Sequence, residues 1–293
     1  MLDVNGITRT YGEHRAVDNV TFDVPEGHMV GFVGANGAGK TTTMRMIMGV
    51  LAPDDGQVFW QGEPITPAAR ARFGYMPEER GLYPKQPVLD QLVFLARLHG
   101  VDAGAAKARA TDLLERFGLG ERTSEKVEKL SLGNQQRAQI IASVLGDPLA
   151  LILDEPFSGL DPAAVDQMSE LLREHTARGV PVLFSSHQLD LVDRLCDSIV
   201  VLHQGKVVAR GTSRELRQAG PLRYRVVLGG DAGWVRAVSD VEVIDLDGNT
   251  AIFQPGDEQS AQRVLAEAVQ RGTVSDFSPV IPTLSEIYRE VSA

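Results

Sequence analysis

A glycine-rich segment that follows an apolar stretch constrains this chain more than any other feature. Gly34–Thr41 reads GANGAGKT and matches the phosphate-loop pattern G-x-x-x-x-G-K-[S/T]. The preceding HMVGFV predicts a strand, and the following TTTMRMIMGVL predicts an amphipathic helix. A strand, a tight turn and a helix in this order open an α/β nucleotide-binding unit. Backbone N–H groups of such a loop surround the β-phosphate, so we expect a phosphate site here.

The side chains of this loop have different expected roles. Lys40 would act as a catalytic residue by neutralising β- and γ-phosphate oxygens, and Thr41 would ligate magnesium. The other loop residues expected at the nucleotide are Gly34, Asn36, Gly37, Ala38, Gly39 and Thr42. A purely structural glycine turn is the alternative, but the bare pattern arises by chance in roughly one chain in a hundred.

Two acids at the end of an apolar run supply the second part of the predicted site. Leu149–Leu153 has the composition of a buried parallel strand and leads into Asp154 and Glu155. Open α/β sheets bind ligands at the carboxyl ends of their strands. Asp154 is suited to the magnesium shell, and Glu155 is suited to accept a proton from an attacking water or to orient it. The alternative is a solvated pair of acids at a strand end.

Two further segments point to anion chemistry. His187 follows the apolar run Val180–Ser185 and would reach the γ-phosphate from the same sheet edge, although a histidine alone is more often structural. LSLGNQQR, which starts at Leu130, combines Ser131 as a helix N-cap with Gly133, which allows close backbone approach. The exposed N–H groups and positive dipole end of that helix predict a second anion site.

The organisation of the chain indicates an α/β fold with additions. Alternating residues before the glycine-rich loop predict an antiparallel β layer, and three helical patterns over about residues 86–147 predict an inserted helical subdomain. After Gly220 and Pro221, strand patterns, a hairpin signal at Asp247 and Gly248, and a helical pattern predict a small α+β domain. We therefore expect a P-loop ATPase core over residues 1–220 and an accessory domain over residues 221–293.

Composition limits the classes of partner and compartment. Asp plus Glu (39) outnumber Lys plus Arg (29), and the net charge of -10 argues against a nucleic-acid partner. Cys196 is the single cysteine, so no disulfide can form within the chain, and a buried structural thiol is expected. The sequence has neither a signal-peptide pattern at its amino end nor an apolar run of membrane-spanning length. A cytoplasmic soluble protein is expected.

In the order of its motifs, the chain resembles the ATP-binding subunits of ABC transporters over roughly residues 1–220. Gly34–Thr42 is similar to the Walker A loop of that family, and LILDE is similar to its Walker B strand. SGLD, at Ser158–Asp161, resembles the D-loop, and His187 resembles the switch histidine. The resemblance implies that the ligands are ATP and Mg²⁺.

LSLGNQQR resembles the signature motif of the same family, with Leu132 and Asn134 where glycine and glutamine are usual. In that family two ATP-binding domains pair head to tail, and the signature of one covers the γ-phosphate held by the other. The resemblance therefore implies that Ser131, Gly133 and Asn134 contact nucleotide held by a second copy of this chain or by a similar subunit. It also implies two Mg-ATP in each dimer.

Two more roles rest on the resemblance alone. Tyr11 stands where the family stacks an aromatic ring on adenine, and the alternative is a tyrosine at a strand edge. Glu78, in GYMPEERG, stands where a magnesium-contacting glutamine is usual, and a carboxylate oxygen can replace the amide oxygen. The alternative is that Glu78 lies in solvent beside Glu79 and Arg80 as part of a charged loop.

GYMPEERGLYPK and the ending PTLSEIYREV resemble an exporter branch in which the ATPase is separate from the membrane permease. The resemblance implies a motor subunit at the cytoplasmic face of the membrane, with a permease chain as partner. The accessory domain would regulate the motor or merely steady its dimer. One alternative is a soluble, non-transport ABC ATPase, although those usually carry two cassettes or long coiled-coil insertions. A P-loop kinase or GTPase fits the ordered SLGNQ, SGLD and His187 less well.

Overall fold

The computed structural model describes residues 1–79, 81–220 and 222–291. They form two compact units, Met1–Ser213 and Arg214–Val291. Arg80, assigned above to a possible charged loop, and Pro221, at the predicted division, lie outside the described residues. Placing the division at residue 220 stays a proposal. No helix of the described ranges is long and apolar enough to cross a membrane.

The first unit combines two β-sheets with surrounding helices. Its strands are β1 (Leu2–Tyr11), β2 (His14–Val24), β3 (Met29–Val33), β4 (Asp55–Trp60), β5 (Glu63–Pro64), β6 (Gly74–Met76), β7 (Leu151–Leu153), β8 (Val182–Ser186), β9 (Ser198–His203) and β10 (Lys206–Gly211). Its α-helices are α1 (Lys40–Ile47), α2 (Pro67–Arg70), α3 (Val88–Leu98), α4 (Ala103–Arg116), α5 (Leu132–Val144), α6 (Pro162–Thr176) and α7 (Leu189–Leu195). Short 3₁₀ turns cover Gly120–Arg122 and Val127–Lys129.

The predicted antiparallel layer is present as a four-stranded sheet in the order β2-β1-β4-β5. β1 and β2 pair antiparallel, as the alternating pattern indicated. The inward side chains of this layer pack against the strands of the second sheet, where the rings of Phe22 and Phe32 lie 5.1 Å apart. This apolar contact holds the layer beside the glycine-rich loop, which starts directly after β3.

The second sheet has six strands in the order β10-β9-β3-β8-β7-β6. β9, β3, β8, β7 and β6 are parallel, and β10 is antiparallel to β9. β7 and β8 begin two residues later than the predicted runs. The three helices predicted between about residues 86 and 147 are α3, α4 and α5. Parallel strands end at a common edge, so the loops after β3, β6, β7 and β8 meet there.

The second unit is the small α+β domain that the sequence predicted. Its elements are α8 (Ser213–Ala219), β11 (Arg223–Leu228), a 3₁₀ turn (Gly233–Ala237), β12 (Val241–Asp247), β13 (Thr250–Pro255), α9 (Glu258–Arg271), β14 (Val274–Val280) and α10 (Leu284–Val291). The sheet order is β12-β13-β11-β14. The hairpin at Asp247 and Gly248 joins β12 and β13, with φ of 57° at the glycine. β14 was not predicted, because a serine and a proline interrupt its apolar alternation.

The thiol of Cys196 is free and partly buried at the end of α7. Burial raises the pKa of this thiol well above its usual value, with the nearby Asp197 charge as a lesser cause. A thiol with a raised pKa is a weak nucleophile, which agrees with the predicted structural role.

Candidate nucleotide site

The predicted phosphate loop and both predicted acids line one cavity of about 290 Å³ at the carboxyl edge of the six-stranded sheet. The lining residues are His14, Ala16, Ala35, Asn36, Gly37, Gly39, Lys40, Thr41, Thr42, Glu78, Asp154 and Glu155. Three of these, His14, Ala16 and Ala35, were missed by sequence reasoning. The first two lie on β2, which runs directly beside the loop: the N–H of Asp18 donates to the carbonyl oxygen of Gly205, and the N–H of Gly205 donates to that of Ala38 in the loop.

The glycine-rich loop turns into α1 at Gly39, the helix N-cap, whose φ is 105°. A Cβ at this position would lie 2.6 Å from the carbonyl oxygen of Ala16, so a glycine is required on both grounds. The buried ammonium of Lys40 donates hydrogen bonds to the carbonyl oxygens of Gly34 (2.7 Å) and Ala35 (3.3 Å). Its positive charge is therefore held beneath the loop, next to the helix N-terminus, where anions are favoured.

Asp154 lies at the end of β7 with only 1% of its surface exposed. Its Oδ1 accepts a hydrogen bond of 2.5 Å from the hydroxyl of Ser185, whereas its buried Oδ2 has no hydrogen-bond partner among the described residues. An uncompensated buried carboxylate costs on the order of 3–5 kcal/mol, so an oxygen left in this state suits a cation. The hydroxyl of Thr41 lines the same cavity, and two oxygen ligands of this kind fit Mg²⁺ completed by phosphate and water.

Glu155 adopts a φ of 50°, which is unusual for a residue other than glycine and costs about 1–3 kcal/mol. Its Oε2 lies 3.0 Å from Nδ1 of His187, and its Oε1 lies 4.0 Å from Nζ of Lys40. The backbone N–H of Glu155 donates to the hydroxyl of Ser185 at 2.8 Å. The strained backbone thus directs the carboxylate toward the loop, and the structure brings together the three residues predicted to be catalytic.

Glu78, in the loop after β6, turns toward the phosphate loop. Its Oε2 accepts a hydrogen bond of 3.3 Å from the hydroxyl of Thr41. Glu79 points away instead, with 89% of its side chain exposed and its carboxylate 3.9 Å from Arg45. Of the two arrangements considered for Glu78, this geometry favours the one beside the predicted metal ligand over the charged loop in solvent.

The signature-like segment forms the start of α5 and is not part of the phosphate cavity. Ser131 is the N-cap, and its Oγ accepts a hydrogen bond of 3.3 Å from the N–H of Asn134. A Cβ at Gly133 would lie 3.2 Å from the carbonyl oxygen of Gly159, so the helix start lies close to the SGLD segment. None of Ser131, Gly133 and Asn134 lines the phosphate cavity. Leu132 is 61% exposed at the same helix start.

SGLD is joined to α5 by Asp161, which is also the N-cap of α6. Its carboxylate accepts hydrogen bonds from the N–H of Ala164 and from the guanidinium of Arg137, both at 2.8 Å. The Ala164 N–H is the main cause that lowers the pKa of Asp161, and Arg137 adds to it. The segment after Glu155 is therefore anchored to the helix that carries Ser131.

Tyr11 lies at the end of β1, 49% exposed and outside the residues that line the phosphate cavity. The guanidinium carbon of Arg9 lies 5.2 Å from the centre of its ring. An exposed aromatic ring offers a surface on which an adenine can stack. Its assignment as the adenine residue stays a prediction.

The family model described as ABC transporter matches residues 17–158, and the one described as ATP-binding protein DrrA1-3-like, C-terminal domain, matches residues 211–292. The chain is 39% identical to the Uncharacterized ABC transporter ATP-binding protein YhaQ of Bacillus subtilis, over 99% of this chain and 98% of that protein. It is 34% identical to the Linearmycin resistance ATP-binding protein LnrL of the same organism, over 92% of this chain and 90% of the relative.

A solved structure of the ATP binding subunit of an ABC transporter superposes with a TM-score of 0.70 at 35% sequence identity. The superposition covers 75% of this chain and 92% of the solved one. The relatives confirm the resemblance to ATP-binding subunits of ABC transporters along nearly the whole chain. The solved structure confirms the fold over the part of the chain that it covers. This chain belongs to the ABC transporter family and is one of its ATP-binding subunits, an ATPase.

Proposed function

We propose that this chain is the motor subunit of an ABC exporter that dimerises head to tail around two Mg-ATP and drives a separate membrane permease. The main observation that supports this proposal is that the two predicted anion sites of one chain are separate from each other. The phosphate cavity is lined by the loop and by Asp154 and Glu155, whereas Ser131 at the start of α5 lies outside it. A second copy that brings its own α5 to this cavity would complete the site.

Within one site, the proposed chemistry is shared among five side chains. Lys40 would neutralise phosphate charge at the loop, and Thr41 and Asp154 would hold the metal ion. Bound magnesium would supply electrostatic stabilisation of the charge that develops on the transferred phosphoryl group. Glu155 Oε2 takes up a proton from the attacking water. His187, 3.0 Å from that oxygen, orients the carboxylate toward the γ-phosphate position.

Export, rather than import, is supported by the relative named Nod factor export ATP-binding protein I of Paraburkholderia xenovorans, which is 37% identical over 73% of this chain and 72% of that protein. We place the subunit at the cytoplasmic face of the membrane, where a permease chain would hold it. The described residues contain no spanning helix, so the transport path itself is assigned to that chain. We assign residues 221–293 an accessory role, either in regulation or in steadying the dimer.

Fractionation of cells that produce a tagged full-length chain tests this proposal. The chain is expected to sediment with membrane vesicles and to purify in constant ratio with a polypeptide that has several spanning helices. The purified complex should release phosphate from ATP without transferring it to a small molecule. Sedimentation with ribosomes or DNA, and absence from membranes, would favour the soluble ABC ATPase instead.

A magnesium titration tests the proposed role of Glu78. Glu78→Ala should require more magnesium for half-maximal ATPase rate, because the variant loses an oxygen beside Thr41. Glu78→Gln keeps a neutral oxygen and should show a milder shift. Glu79→Ala is the matched control, since that acid is 89% exposed and points away from the loop. A Glu78→Ala titration curve that superposes on the parent curve would exclude Glu78 from the metal shell.

A further inference from the structure

Helix α5 makes a contact with Glu155 that the proposed chemistry does not use. The amide nitrogen of Gln136 donates hydrogen bonds to the carbonyl oxygens of Glu155 (2.9 Å) and Pro156 (3.0 Å). The hydroxyl of Ser185 accepts a hydrogen bond of 2.8 Å from the N–H of Glu155. The backbone of the proposed general base is therefore held on both sides by side chains from other elements.

The backbone of Glu155 needs such support because its φ of 50° is unfavourable for a residue with a Cβ. Strained conformations of this kind persist only where the surrounding structure fixes them. Loss of the hydrogen bonds to the Glu155 and Pro156 carbonyl oxygens would allow the peptide to relax. The carboxylate would then turn away from His187 and from the phosphate loop.

One turn further along α5, Gln139 makes the same kind of contact with the loop that carries Glu78. Its buried amide nitrogen donates to the carbonyl oxygens of Pro77 (2.7 Å) and Glu79 (3.4 Å). Its amide oxygen accepts from the N–H of Gly81 at 3.3 Å. These bonds hold the main chain on both sides of Glu78, while the side chain of Glu78 remains directed at Thr41.

Gln136 and Gln139 are three residues apart and lie on neighbouring positions of one helical face. The same helix begins at Ser131, the residue expected to meet nucleotide held by the partner subunit. We propose that Gln136 and Gln139 are positioning residues that tie Glu155 and Glu78 to α5, so that engagement of Ser131 with the partner's nucleotide sets both carboxylates of this chain's own site. This inference rests on the proposed head-to-tail dimer.

The consequence is a physical connection between the two ATP sites of the dimer. If α5 shifts when its N-terminus meets nucleotide, two pairs of carbonyl oxygens shift with it. One pair adjoins the proposed base, and the other flanks the proposed metal contact. A site would become competent for hydrolysis only when the other site holds nucleotide, which would suppress turnover by a half-loaded dimer.

Substitutions of Gln136 in the full-length chain distinguish a role in positioning Glu155 from a role in packing alone. Gln136→Met keeps the length of the side chain but removes both donors, and it should lower kcat about tenfold while KM for ATP stays within about twofold. Gln136→Lys restores an N–H donor and should recover most of the parent kcat. If Gln136→Met keeps the parent kcat, or if lysine rescues no better than methionine, the hydrogen bonds do not position Glu155.

Gln91→Met is the matched control for loss of a buried amide. Gln91, on α3, also binds main chain, accepting from the N–H of Tyr83 at 2.6 Å and donating to its carbonyl oxygen at 3.2 Å. It has no contact with either carboxylate, so Gln91→Met should lower the melting temperature and leave kcat within about twofold. If Gln91→Met lowers kcat as much as Gln136→Met does, both losses result from general destabilisation.

Hydrogen exchange of the nucleotide-free, full-length chain tests Gln139 without any activity measurement. In Gln139→Met the amide of Gly81 loses its acceptor and should exchange about fivefold faster, while residues 154–158 exchange as in the parent. Gln136→Met should show the reverse pattern, with faster exchange at Ser158, whose N–H binds the Glu155 carbonyl oxygen at 3.2 Å. Unchanged exchange at Gly81 in Gln139→Met would overturn the assignment of Gln139.

These experiments also distinguish this inference from the proposed function. Suppose that the parent chain hydrolyses ATP, that Glu155→Gln abolishes turnover, and that Gln136→Met has no effect. These results would support the proposed function and would contradict the inference about Gln136. A parent chain that does not depend on Glu155 would remove the proposed chemistry, whereas the exchange pattern at Gly81 and Ser158 would still report whether α5 holds the two loops.

Discussion

Glu155→Gln is expected to abolish ATP turnover and to leave ATP binding intact. Removal of a general base typically costs about 10²- to 10⁴-fold in rate. Glutamine preserves the shape of the side chain and its hydrogen bond with His187, but it cannot take up a proton. The ammonium of Lys40 and the loop N–H groups remain in place, so the binding site is retained. Phosphate release and equilibrium nucleotide binding measure the two effects separately.

The same variant should accumulate as an ATP-bound dimer, because the step that dissolves the proposed dimer is hydrolysis. Sedimentation with Mg-ATP should show a dimer for Glu155→Gln at concentrations where the parent is mainly monomeric. Glu79→Gln is the control, since it makes the same change at an exposed acid beside the site. If Glu155→Gln turns over ATP at the parent rate, or if it stays monomeric in Mg-ATP, Glu155 is not the general base.

The parts of the candidate site that sequence reasoning brought together, as the structure does, are those whose geometry depends on neighbours along the chain. The glycine-rich loop needs only the strand before it and the helix after it, and both periodicities are visible in the sequence. Asp154 and His187 follow strands of one parallel sheet, so the rule for strand ends already brings them to a common edge. The hairpin of the second unit was similarly visible from Asp247 and Gly248.

The parts that were missed depend on contacts between distant segments. His14 and Ala16 reach the cavity because β2 lies beside the loop, where Gly205 bonds both β2 and the loop, and no local pattern records that contact. The positive φ of Glu155 is held by Ser185 and Gln136, which lie 30 and 19 residues away in the chain. Glutamines on a helix usually predict a solvated face, so the sequence offered no signal that Gln139 was buried against the Glu78 loop.

Ser131→Arg is expected to block hydrolysis without weakening the affinity of the isolated subunit for ATP. Ser131 caps α5 outside the phosphate cavity of its own chain, so a larger side chain there leaves Lys40 and Asp154 unchanged. In the proposed dimer, however, arginine removes the cap and places bulk and charge where the partner's γ-phosphate should meet the helix. Ser124→Arg, the same change at an exposed residue upstream, should retain parent activity.

Mixing subunits identifies which site the Ser131 substitution damages. A mixed dimer of Ser131→Arg and Lys40→Ala has one site with an intact loop and an intact signature, and a second site in which both are altered. If dimers form at random and the two sites act independently, equal amounts of the two inactive variants should recover up to about a quarter of the parent rate. If each site needs nucleotide at the other, as inferred above, the mixture should stay nearly inactive, because the altered loop of the Lys40→Ala subunit binds ATP poorly. ATP affinity of the Ser131→Arg monomer is the complementary measurement. Loss of that affinity would show that Ser131 acts within its own chain, and the head-to-tail dimer would lose its support. Recovery of activity in the mixture would support the head-to-tail dimer and would contradict the inferred dependence of each site on nucleotide at the other.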